Sequence, residues 1–119
     1  MVEVRLGEVE SRFADIIWQN EPMSSRRLAE MAEQALSWKK STTYTMLKRL
    51  CDRGIFQKNG GTVTSRITKE EFHALQSEKF VEETFDGSLP AFLAAFGTRK
   101  KITATEYEEL RRVIDAMKE

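Results

Sequence analysis

The sequence holds one cysteine, Cys51, and one histidine, His73. A single thiol excludes an internal disulfide framework, and one thiol with one imidazole is too few ligands for a Cys/His metal site inside one chain, so neither metal nor cofactor is expected. Six Gly and two Pro in 119 residues are too few for a collagen-like or low-complexity chain. With 40% hydrophobic and 32% charged residues, the composition is that of a helix-rich globular protein. No apolar run approaches the roughly 18 to 20 residues of a membrane span, and Met1-Val2-Glu3-Val4-Arg5 lacks the charged start and apolar centre of a secretion signal. The expectation is a protein of the reducing cytoplasm with no membrane partner.

Catalytic constellations are also missing. There is no G-x-S-x-G, P-loop, dinucleotide fingerprint or H-E-x-x-H, and His73 is poorly placed to serve Cys51 as a base. A metal-dependent nuclease needs clustered carboxylates, and the most basic part of the chain has only Asp52. An enzyme is not expected. Cys51 reads as a small packing residue beside Leu50, and His73 as a surface or partly packed imidazole.

An excess of one charge sign is absent from the whole chain, where 19 Lys+Arg meet 19 Asp+Glu, but not from its parts. Residues 1–69 carry twelve basic against eight acidic residues, a net of +4, and residues 70–119 carry seven against eleven, a net of −4. Between 38 and 69 there are eight basic residues and one acid, a net of +7. The molecule is neutral and strongly polarised, and its N-terminal part has the electrostatic footprint of a nucleic-acid binder.

The apolar periodicity orders the chain. Val9, Phe13, Ile16 and Ile17 predict an amphipathic helix over 7–20, which Asn20-Glu21-Pro22 stops. Ser24 or Ser25 caps a second helix with Leu28, Met31, Ala32 and Ala35 inward. A third runs from near Lys40 to Arg53, with Thr43, Leu47 and Leu50 inward and Gly54 as a left-handed cap. Residues 55–58 and 62–67 flank Asn59-Gly60-Gly61 and read as a hairpin. Three helices and a hairpin are the order of a winged helix-turn-helix. Thr68-Lys69-Glu70-Glu71 and Thr103-Ala104-Thr105-Glu106 have the form of capping boxes and open two later helices, with a short apolar helix through Pro90 between them. The predicted class is mainly α with a small β-hairpin: a winged helix-turn-helix over 1–69, then a helical dimerisation module over 70–119.

The third helix carries the informative face. Lys40, Ser41, Thr42, Tyr44, Thr45, Lys48 and Arg49 combine base-edge hydrogen-bonding groups with phosphate-seeking cations, without the interspersed acids of an ordinary solvated helix. Lys58 and Arg66 flank the glycine turn and give the wing basic sides suited to the DNA backbone. Arg26 and Arg27 are secondary candidates, offset by Glu30 and Glu33 one turn on. Trp18 and Trp38 read as core anchors rather than base-stacking platforms. In the acidic part, Phe80, Leu89, Phe92, Leu93 and Phe96 form a surplus of apolar surface, and Tyr107, Leu110, Ile114 and Met117 form a narrow helical seam. About fifty residues rarely bury a sufficient core alone, so a second copy of the chain is the expected partner, with a two-fold axis that matches paired DNA half-sites. The alternative is a winged-helix adaptor whose basic face meets an acidic protein.

The run Trp38-Lys39-Lys40-Ser41-Thr42-Thr43-Tyr44-Thr45-Met46-Leu47-Lys48-Arg49-Leu50-Cys51-Asp52-Arg53-Gly54-Ile55 resembles the recognition helix of the penicillinase-repressor family of bacterial transcription regulators, which includes the methicillin-resistance and copper-responsive repressors. The likeness extends from Leu6-Gly7-Glu8-Val9-Glu10 to Phe85-Asp86-Gly87-Ser88 and Glu108-Glu109-Leu110, and S-T-x-Y-T-x-L-x-R-L followed by Gly is its most specific part. The resemblance implies a dimeric repressor on a palindromic operator, with Thr42, Thr45 and Arg49 at DNA-contacting positions, that is released by a signal in resistance or metal homeostasis. It also implies a sensor protease as partner, since β-lactam-responsive members are cut at an Asn–Phe bond. The corresponding bond here is Ala95–Phe96, with alanine in place of asparagine. The cysteine hook of copper-responsive members has no counterpart, because no cysteine follows Cys51.

Overall fold

The computed structural model describes residues 2–119. The elements run α1 (Glu8–Asn20), β1 (Met23–Ser24), α2 (Ser25–Leu36), α3 (Lys40–Asp52), β2 (Phe56–Asn59), β3 (Thr62–Ser65), α4 (Lys69–Phe85), α5 (Leu89–Gly97) and α6 (Ala104–Met117). The chain forms two compact units, one reaching to Lys79 and the other Phe80–Glu119. The functional division expected after residue 69 falls at the start of α4. The compact units divide later, inside that helix, because its first turns pack Phe72 into the first unit, against Trp18 at a centroid distance of 5.4 Å.

In the first unit, α1, α2 and α3 enclose a core of Phe13, Ile17, Leu28, Leu47 and Leu50, which the sheet closes with Phe56 and Val63 and α4 closes with Phe72. Burying each large side chain contributes about 1.5–3 kcal/mol relative to exposure. Both tryptophans serve this core. Trp38 lies on Phe13 at 5.0 Å between ring centroids, and Trp18 packs on Phe56 at 5.2 Å while its indole N–H donates to the Ile67 carbonyl at 3.2 Å.

Two core expectations need correction. Val9 is 46% exposed, because the inward stripe of α1 is Glu10, Phe13, Ala14 and Ile17, turned by one residue. Glu10 can occupy the margin of that stripe because the Arg53 guanidinium meets its carboxylate at 3.1 Å. Ala35 is exposed, and Ala29 takes its place on the buried face of α2, with Leu36 packed at the edge of the core.

Caps set the helix boundaries. The Ser24 hydroxyl accepts from the Arg27 N–H at 3.0 Å and starts α2. At the end of α3, Gly54 has φ +83° and Ile55 N–H reaches back to the Leu50 carbonyl at 3.1 Å, a closure that favours glycine in the left-handed position. Thr68 and Glu71 exchange both bonds of a capping box, at 3.0 and 3.1 Å.

The sheet is antiparallel with order β1-β3-β2. Asn59 pairs with Thr62 across the two-residue turn Gly60-Gly61, where φ is +58° and +85°, the paired positive values that a tight hairpin turn demands. The third strand, β1, is an addition to the expected hairpin: Met23 pairs with Val63 and Ser24 with Thr62.

The second unit has no buried residue in α5 or α6. The Ser88 and Thr103 hydroxyls cap these two helices at 3.1 Å each, with Pro90 in the first turn of α5.

Candidate nucleic-acid interface

Helix α3 buries Thr43, Leu47 and Leu50 and leaves the opposite face to solvent. Helical spacing sets Ser41, Thr42, Thr45, Met46 and Arg49 along one shallow groove on that face. These side chains present hydroxyls and a guanidinium, the groups that read base edges in a major groove. Beside the groove the Tyr44 ring is half-buried between two ammonium groups, Lys40 Nζ at 5.9 Å from its centroid and Lys58 Nζ at 5.7 Å. Lys40 belongs to α3 and Lys58 to β2, so the aromatic ring joins helix and wing into one cationic surface.

The basic excess of residues 38–69 is partly used internally. Lys48 pairs with Asp52 at 3.0 Å, Arg53 with Glu10 at 3.1 Å and Lys69 with Asp15 at 2.8 Å. Arg53 also donates to the Arg5 carbonyl at 3.0 Å, which makes it a structural cation tying α3 to the N-terminal segment. Among the described residues, Lys39, Lys40, Arg49, Lys58 and Arg66 have no carboxylate within ion-pair distance. Lys40, Arg49, Lys58 and Arg66 are exposed. Of the secondary candidates, Arg27 is paired with Glu30 at 3.1 Å.

The remaining titratable groups lie elsewhere. Cys51 is half-buried at the edge of the core, where burial, reinforced by Asp52, pushes its thiol up. His73 is exposed on α4, with Nδ1 at 3.0 Å from the Gln76 side-chain oxygen. Among the described residues no group of three His, Cys, Asp or Glu side chains is placed to hold a metal ion. None of their helices is long and apolar enough to cross a membrane.

A winged helix with an unpaired cationic face is the architecture of a DNA reader, and the comparison with known proteins agrees. Residues 6–116 match the sequence pattern of the penicillinase repressor family. This chain belongs to that family. Family members are DNA-binding transcriptional repressors and not enzymes. The penicillinase repressor of Bacillus licheniformis is 20% identical over 118 residues, an alignment that covers 96% of this chain and 92% of that protein.

The family match takes in nearly all of the second unit, whose surface differs in kind from that of α3. Phe80, Phe85 and Phe92 meet edge-to-face at centroid separations of 5.6–6.1 Å, and Phe92 continues to Phe96 in a tilted contact at 6.2 Å. Phe92, Leu93, Phe96, Tyr107, Leu110 and Ile114 line a largely apolar groove of about 660 Å³ between α5 and α6. Leu89, Leu93, Phe96, Ile114 and Met117 are exposed, Met117 by 61%. The Ala95–Phe96 bond lies in the last turn of α5, where the Ala95 carbonyl accepts from the Thr98 hydroxyl at 2.7 Å.

Proposed function

We propose that this chain is a homodimeric repressor that occupies a palindromic operator, each α3 entering a major groove and each wing lying along the adjacent phosphates. The observation that carries the reading is the single cationic surface made by α3 and the wing. Hydroxyls of Ser41, Thr42 and Thr45 stand beside Arg49 there, and Lys40, Lys58 and Arg66 supply the unpaired charge. Hydrogen bonds from the groove residues give sequence preference, and the lysines and Arg66 give attachment. Lys48 joins them where a phosphate displaces Asp52.

The second unit supports the dimer. An isolated forty-residue piece with Phe80 and Phe96 exposed and an open groove is short of buried area, and a second copy supplies it without a further gene product. Two reading heads on one dyad turn a modest single-site affinity into tight operator occupancy, so any signal that opens the dimer releases DNA. Proteolysis at Ala95–Phe96 by a sensor protease is one such signal, and the repressor acts in the cytoplasm by blocking a promoter.

Fluorescence anisotropy with a duplex carrying the promoter of its own operon, against a mixed-sequence duplex of the same length, tests this. A repressor prefers the promoter and loses affinity as salt rises. Failure to bind either duplex assigns the basic face to an acidic protein partner instead.

A further inference from the structure

A carboxylate stands where a strand ends. β1 begins at Met23, opposite Val63, so no residue of β1 stands opposite Ser65. Along β3 the N–H groups alternate between the two edges. That of Arg66 donates to the Ile55 carbonyl at 2.8 Å on the β2 side, so that of Ser65 points to the other edge, beyond the end of β1. Glu21 occupies this place. Its Oε1 accepts the Ser65 N–H at 2.8 Å, and the Ser65 hydroxyl is 2.8 Å from both carboxylate oxygens. Glu21 is itself anchored, because its own N–H closes α1 on the Ile17 carbonyl at 2.9 Å.

We propose that Glu21 is a positioning residue for the wing: its carboxylate replaces the missing strand bond and sets the direction in which β3 presents Arg66 to the DNA backbone. The inference rests on the placement of Arg66 against phosphate under the proposed function. Its sign opposes simple electrostatics. A carboxylate beside a polyanion repels it, so deletion of one that does nothing else strengthens binding. Deletion of one that holds the wing weakens it.

The test is anisotropy of the full-length protein with a mixed-sequence duplex across a salt series. Glu21→Ala is expected to bind several-fold more weakly and to lower the salt slope by about 0.9, the share of one phosphate. Glu21→Gln, whose amide oxygen still accepts the Ser65 N–H while the negative charge is gone, is expected to bind at least as tightly as the parent. In an Arg66→Ala background Glu21→Ala is expected to add no loss. Glu21→Ala binding as tightly as the parent, while Arg66→Ala binds more weakly, overturns the positioning role and leaves the wing reading intact. Equal losses in Glu21→Ala and Glu21→Gln, additive with Arg66→Ala, assign the effect to general destabilisation and also overturn it. An Arg66→Ala variant with unchanged affinity and slope overturns the wing reading, and the role of Glu21 with it.

Discussion

The Lys58 ammonium, on the wing strand β2, lies 5.7 Å from the ring centroid of Tyr44 in the middle of α3. A cation over an aromatic face gains about 0.5–1 kcal/mol at an exposed site, enough to bias a flexible lysine toward one direction without holding it rigidly. Since Lys40 approaches the same ring, Tyr44 sets the spacing of two charges carried by different elements. Tyr44→Phe keeps the ring face and is expected to retain most DNA affinity. Tyr44→Leu removes it and is expected to weaken binding to mixed-sequence and promoter duplexes alike, as read by anisotropy.

Arg49 and Thr45 line the groove of α3, which under the proposed function reads base edges. Arg49→Ala and Thr45→Ala are each expected to weaken promoter binding by roughly 1–3 kcal/mol, with a smaller effect on a mixed-sequence duplex. Mobility shift measures both, and unchanged promoter affinity in both variants places the reading face elsewhere.

Ile114 and Leu110 line the open groove of the second unit. Ile114→Asp sets a charge in the surface that the proposed dimer buries, at a cost of several kcal/mol, and is expected to give a monomer at micromolar concentration. Sedimentation velocity of parent and variant decides; a folded monomer in the parent removes the dimer reading.

The Thr43 hydroxyl is fully buried on the core side of α3, and among the described residues it has no hydrogen-bond partner. Valine has nearly the same shape without the unsatisfied group. Thr43→Val is therefore expected to raise stability by about 1–2 kcal/mol, seen as a higher Tm, while promoter affinity stays unchanged because the side chain faces away from the groove.

How legible all this was in the sequence depended on range. The helices were readable because their signals are local: the Ser24 cap, the Thr68-Glu71 box and Gly54 after Leu50 act within one turn of the boundaries they set. The polar face of α3 was readable for the same reason. β1 was not, since two residues carry no periodicity and Met23-Ser24 becomes a strand only when β3 lies beside it. Three long-range carboxylates were equally hidden. Glu10 reaches Arg53 and Asp15 reaches Lys69, which takes two cations of the basic stretch 38–69 into internal pairs, and Glu21 reaches Ser65. Val9 misled because the helical wheel ranks hydrophobicity and does not foresee that an ion pair will take the neighbouring stripe.

The pairing of Lys48 with Asp52 gives α3 a tethered decoy. Both side chains are largely in water, 77% and 66% exposed, so the pair opens readily. A phosphate that captures this lysine exchanges one anion for another and releases fewer condensed counterions than an unpaired cation does. On the proposed DNA face, loose encounters anywhere along a duplex therefore gain little from Lys48, and a snug fit with Asp52 turned aside gains more. In that reading, one acid on an otherwise basic helix acts as a filter against indiscriminate adhesion.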